Sequence, residues 1–98
     1  MTKTQLENQA LKLLIKTKRL VNRVYSYPRY EVTIDLDDHN HPIHGDIFDI
    51  SLSVWDRDKD DMLLSSNSGT TVAKLSDAKQ YLASQLRKLD IIIPEELR

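Results

Sequence analysis

Three histidines, His39, His41 and His44, fall within one short segment, Asp38-His39-Asn40-His41-Pro42-Ile43-His44-Gly45, beside Asp37 and Asp46. Imidazole and carboxylate together are transition-metal ligands. Here, however, the spacing is i, i+2, i+5 in a loop whose only stiffener is Pro42, so no helix holds the rings at one point. The segment reads as a polar connecting turn, with no metal expected. The neighbouring acids would favour the protonated rings, which predicts a mild pH sensitivity near neutrality. Asp56-x-Asp58-x-Asp60 opens like a calcium loop but departs from it where the loop is most demanding. The sixth position, which needs Gly, is Asp61, and the twelfth, which needs Glu, is Asn67. Serines are present without a Gly-x-Ser-x-Gly elbow, and only Gly45 and Gly69 are available to build a phosphate loop. Carboxylates do pair up, but on what should be an open strand face and not in a water-excluding cleft. The expectation is a protein that is not an enzyme, with no catalytic residues and no cofactor.

The acids carry more information as a surface. Residues 30–61 hold ten Asp or Glu against two Arg or Lys, while residues 1–29 hold seven Arg or Lys against one Glu. A formal net charge of -1 therefore hides two territories of opposite sign. No Lys or Arg occurs between Glu31 and Trp55. Like charges placed across neighbouring strands are destabilising, so an uninterrupted acidic face suggests a surface that meets something basic.

The elements that must position these groups follow from periodicity. Residues 3–25 read as one helix, with Leu6, Ala10, Leu13, Leu14, Leu20, Val21 and Val24 at helical spacing and Thr17 as the one polar interruption. Lys12, Lys16, Arg19 and Arg23 form a second stripe, roughly 130° around the helix. Leu11 and Ile15 lie outside the apolar stripe and must be exposed, covered by the tail or buried in a partner. Tyr27-Pro28 ends the helical region. Tyr30, Val32, Ile34 and Leu36 then alternate with Glu31, Thr33, Asp35 and Asp37, a period of two that marks a strand. In a second strand Phe48, Ile50, Leu52 and Val54 face one way, and Asp49, Ser51 and Ser53 face the other with Ile47 and Trp55. The turn Asp56–Asp61 leads to a short third strand, Met62–Ser66, which residues 67–70 break. The last helix runs from Asp77 to Leu89 with Ser76 as its N-cap, and its stripe is Ala78, Tyr81, Leu82, Leu86 and Leu89. Asp90 and Pro94 bracket the triplet Ile91-Ile92-Ile93. The fold expected is α+β, an αβββα arrangement with both helices on one face of a three-stranded antiparallel sheet. Residues 1–98 form a single domain in this reading, without repeats.

Composition bounds the rest. A chain of 98 residues with two Gly and three Pro has no room for long low-complexity segments. The absence of cysteine excludes disulfides, thiolate zinc sites and cysteine nucleophiles, and fits a reducing cytosol. The first residues show no apolar leader, and the longest apolar run, Ile91–Ile93, cannot span a bilayer. A cytoplasmic protein away from membranes is expected, of the kind that bacteria and phages encode as free-standing small proteins.

Pro28-x-Tyr30-Glu31, His44 in the first hairpin loop, and Ala78-Lys79-Gln80 with Ala83 resemble the first-strand entry, the loop histidine and the last-helix start of the double-stranded-RNA-binding domain. The resemblance covers residues 28–89, with a helix ahead of it, and implies the αβββα order. That family opens its last helix with a pair of lysines that grip phosphates, whereas the matching positions here are Leu75 and Ser76, leaving Lys74 and Lys79.

Two principal functional expectations follow. In the first, the acidic sheet face binds a basic, nucleic-acid-binding surface of a protein partner, as an inhibitor that imitates nucleic acid; small phage proteins directed at host defence nucleases are of this type. Glu31, Asp35, Asp37 and Asp49 carry the contact, Asp56, Asp58, Asp60 and Asp61 widen the field, and Trp55 is an aromatic anchor. In the second, which the resemblance implies, the chain binds duplex RNA through Lys12, Lys16, Arg19, Arg23, His44, Lys74 and Lys79. A homodimer built through Leu11, Ile15 and Ile91–Ile93 is a third reading.

Overall fold

The structure, a computed structural model, describes residues 2–26, 28–38, 47–64 and 69–98. The chain opens with α1 (Lys3–Val24), whose start is fixed by a capping box. The Thr2 hydroxyl accepts the Gln5 N–H at 3.2 Å, and the Gln5 side-chain oxygen accepts the Thr2 N–H at 2.9 Å. Strand β1 (Tyr30–Asp37) pairs antiparallel with β2 (Phe48–Asp56) along its whole length, from Tyr30 opposite Asp56 to Asp37 opposite Asp49. Strand β3 (Asp61–Leu64) pairs with the end of β2, and β4 (Thr70–Val72) pairs with its beginning. Helix α2 (Leu75–Lys88) and a 3₁₀ turn (Glu95–Leu97) complete the chain. The class is α+β, with two helices and a mostly antiparallel sheet.

The boundaries of the third strand and of the second helix differ most from the periodic reading, for local reasons. The third strand is two pieces on β2, and Thr70 belongs to the second piece, not to a break. The expected Ser65 and Ser66 of that strand, with Asn67 and Ser68, lie outside the described residues. Gly69 marks the start of the second piece. A Cβ there would stand 2.8 Å from the Ile50 carbonyl oxygen and 3.2 Å from Ser51 Cβ, so only glycine lets β4 approach β2 this closely. Finally, α2 begins two residues earlier than expected, with Lys74 and not Ser76 at the N-cap. The Asp77 carboxylate sets that start by accepting the N–H groups of Ala73 at 3.0 Å and Lys74 at 3.1 Å.

One buried cluster joins Leu6, Ala10, Leu14 and Val21 of α1, Phe48, Ile50, Leu52 and Val54 of β2, and Ala78, Leu82 and Leu86 of α2. Thr17 is tolerated in it because its hydroxyl donates to the Leu13 carbonyl at 2.7 Å. Tyr81 reaches into the sheet, where its hydroxyl accepts the Leu52 N–H at 2.9 Å. Leu52 lies between the stretches of β2 that pair with β3 and β4, so α2 supplies a ladder partner that neither strand does. Helix α2 closes in a Schellman motif. Asp90 is left-handed at φ 56, the Ile91 N–H donates to the Leu86 carbonyl at 3.0 Å, and the Asp90 N–H donates to the Arg87 carbonyl at 3.1 Å. The tail then turns back on the core through Ile91 and Leu97, with Ile93 half-buried.

Candidate functional face of the sheet

The β1–β2 register decides which side chains share the outer face. On β1, Glu31, Thr33, Asp35 and Asp37 are all exposed. Opposite them on β2 stand Trp55, Ser53, Ser51 and Asp49, all half-buried. Asp35 and Asp37 are one pleat repeat apart, about 6.8 Å along the strand. Asp37 lies directly across from Asp49, so the three carboxylates form one compact group. Thr71 of β4, opposite Asp49, donates its hydroxyl to the Asp49 carboxylate at 2.8 Å.

The other end of the same face is apolar. Trp55 lies between Glu31 on β1 and Met62 on β3. The β2–β3 register shifts between Val54 and Trp55, which inserts Leu63 as a bulge residue. Met62 and Leu63 are both exposed there. Neither was expected in the candidate site. The unbroken run Met62-Leu63-Leu64, which cannot alternate, was the available signal.

Several acids are already engaged. Arg57 pairs with Glu31 at 3.4 Å, Arg29 with Asp58 at 3.5 Å, and Lys3 with Asp38. Asp58, Asp60 and Asp61 are exposed along the turn, as expected of a widened field. Asp56 is different. It is the last inward residue of β2 and only 1% exposed, so it leaves the set of contact residues. Its carboxylate accepts the N–H groups of Asp58 at 3.1 Å and Lys59 at 3.3 Å, and lies 3.5 Å from the Arg29 guanidinium. Burial pushes its pKa up, but the Lys59 N–H, the Arg29 guanidinium and the Asp58 N–H outweigh that and hold it below the usual carboxylate range. Asp56 therefore builds the β2–β3 turn, and the calcium-like spacing of Asp56, Asp58 and Asp60 serves a tight hairpin whose Asp60 is left-handed at φ 52.

The residues of the RNA reading are partly gathered. Lys12, Lys16, Arg19 and Arg23 are exposed on α1, and the last three border a cleft of about 260 Å³ floored by Leu20 and Leu97, with Glu96 on its rim. Lys74 is exposed at the α2 N-cap and Lys79 is half-buried one turn on. His39, His41 and His44 lie outside the described residues, and among the described residues no three His, Cys, Asp or Glu are grouped to hold a metal ion. For the homodimer reading, Leu11 and Ile15 are 41% and 38% exposed, whereas of the isoleucine triplet only Ile92, at 85%, is. Among the described residues no helix is long and apolar enough to cross a membrane. No family model, no curated protein and no solved structure matches the chain.

Proposed function

We propose that this chain is a small non-catalytic binding protein whose outer sheet face engages a basic surface on another protein. The observation that carries the reading is the polarity of that face. Asp35, Asp37 and Asp49 cluster at one end, and Trp55, Met62 and Leu63 stand at the other. Carboxylates supply orientation and encounter rate toward a cationic surface. A half-buried tryptophan flanked by exposed apolar side chains supplies the kind of anchor on which interface affinity concentrates. No Lys or Arg interrupts the stretch between Glu31 and Trp55, so this end of the face presents one sign of charge, as a phosphate backbone does. This supports a partner that ordinarily binds nucleic acid and an inhibitor that competes for the same site, the mode of a phage-encoded antagonist of a host nuclease.

The test is affinity capture on immobilised protein, wild type against Asp35→Lys/Asp37→Lys/Asp49→Lys. A partner held by the wild type, lost by the variant and eluted by duplex DNA or RNA supports the reading. Equal capture by both proteins removes it. Trp55, the single tryptophan, reports the same event by its emission.

Duplex RNA binding through α1 is the second reading, favoured by the way Lys16, Arg19 and Arg23 share one cleft edge. Reversing them to Glu should abolish RNA binding and leave partner capture unchanged, while the lysine variant of the sheet face does the opposite.

A further inference from the structure

Strand β1 is the outer edge of the sheet among the described residues, and the direction of its backbone groups can be assigned. The Arg57 N–H donates to the Arg29 carbonyl at 2.8 Å, one step beyond the pair Tyr30–Asp56. Odd-numbered residues of β1 therefore exchange bonds with β2, and alternation turns the N–H and C=O groups of Tyr30, Val32, Ile34 and Leu36 away from it. The bond from the Leu52 N–H to Tyr81 obeys the same parity, because Leu52 pairs with Ile34 and must point away from β1. The outward groups of β1 are a ready template for one more strand.

Helix α1 runs antiparallel beside that edge. Lys3 at its start pairs with Asp38, and Tyr25 just past its end meets the Tyr30 ring edge-on at 4.9 Å. A cleft of about 620 Å³ lies between them, bordered by Lys18 and Asn22 of α1, Glu31 and Val32 of β1, and Arg57. At 100° per residue, Leu11 and Ile15 fall within about 60° of Lys18 and Asn22 on the helix, so they occupy the same flank one to three turns toward the start. Among the described residues the edge thus has unpaired outward ladder groups, the exposed pair Leu11 and Ile15 on its helix side, and the exposed carboxylates of Asp35 and Asp37 on the other.

We propose that the free edge of β1 receives an extended segment of the partner as an added strand, with basic and apolar residues in alternation. Alternate side chains of such a strand point to opposite faces, so its apolar residues rest on Leu11 and Ile15 while its cations meet Asp35 and Asp37. Lys18 and Arg57 both stand at the Glu31 end of the cleft and repel further cations there, so the cations of the added strand belong at the Asp35–Asp37 end. Main-chain bonds supply affinity in this mode, and the alternating side chains supply specificity. Centred on Ile34, an antiparallel second copy of β1 would set Glu31 against Asp37 twice, a like-charge clash. The charge complementarity here rests on the acidic-face reading; the added strand does not follow from that reading alone.

The probe is a synthetic ten-residue peptide of alternating lysine and valine, compared with the same sequence N-methylated at alternate backbone nitrogens, so that charge is held and strand pairing is lost. Peptide affinity is read by anisotropy, and the exchange of the Val32 and Ile34 amides is read by NMR. The expected result is binding of the plain peptide at least ten-fold tighter than the N-methylated one, with slowed exchange at both amides. Ile34→Pro, which removes an outward N–H at a half-buried position of the edge strand, should weaken the plain peptide to the level of its N-methylated twin. Equal binding of the two peptides, abolished by the triple lysine variant, would overturn the strand addition and leave the acidic face standing. No binding of either peptide, or protection of the same amides by self-association without peptide, would overturn it as well.

Discussion

Tyr81→Phe isolates a single hydrogen bond at the centre of the sheet. The hydroxyl accepts the N–H of Leu52 at 2.9 Å, and both residues are buried, Leu52 completely. The substitution keeps the ring and its packing but leaves that N–H without a partner and out of reach of water. A buried amide left unsatisfied costs about 1–3 kcal/mol. For a chain of this size each kcal/mol lowers Tm by about 4–8 °C, so a fall of roughly 4–24 °C is expected. Urea unfolding should show the midpoint drop with the slope unchanged, since the buried area is the same. Exchange of the Leu52 amide should accelerate more than that of Val54, whose place in β2 is opposite Leu64. A variant within about 0.3 kcal/mol of wild type, smaller than any loss expected of a buried orphan, would refute the idea that α2 completes the ladder of β2.

Gly69→Ala should cost about 1–3 kcal/mol, the usual penalty of forced overpacking, because its Cβ would press on the Ile50 carbonyl; chemical denaturation measures it, and a neutral result would mean β4 has room to shift. Asp90→Gly should stabilise by a few tenths to about 1 kcal/mol, as relief of the left-handed backbone outweighs the greater freedom of the unfolded chain; calorimetry reads the sign. Asp56 has a folded pKa below its ordinary 3.8, so its contribution to stability is complete above that value and is lost as pH falls through the lower, folded one. Asp56→Asn should therefore be less stable than wild type near neutral pH, and the gap should narrow in acid below 3.8, as paired unfolding curves will show. Leu14→Ala, at a fully buried site on α1, should cost about 2–5 kcal/mol.

Alternation made β1 and β2 readable residue by residue, because a period of two leaves no freedom about which face a side chain takes. The same rule would have placed Asp56 inside had the strand been continued one more residue. Its place at the head of five more charged positions, residues 57–61, marked it as turn instead. The third strand was harder for a physical reason: a bulge sets Met62 and Leu63 against Trp55 and erases the alternation, and Thr70–Val72 is too short to show any. At α2 both Ser76 and Asp77 are residues that satisfy helix N-termini, and only the backbone shows that Asp77 acts from inside the first turn.

Ion pairs were beyond the reach of counting, since each depends on the register that brings distant residues together. Lys3 meets Asp38 only because α1 lies antiparallel to β1, and Arg57 meets Glu31 only because the β2–β3 turn curls beside the first strand. These pairs change the functional argument. Ten acids against two bases in residues 30–61 suggest a uniformly negative plate. The folded face has instead paired Glu31 with Arg57 and withdrawn Asp56, and it separates an acidic end at Asp35, Asp37 and Asp49 from an apolar end at Trp55, Met62 and Leu63. A partner that is merely basic would use half of such a surface. The complementary partner is one whose cationic patch ends in a hydrophobic pocket, and truncating Trp55 to Ala should then weaken its capture about as much as reversing the acids, whereas a purely electrostatic partner would ignore it.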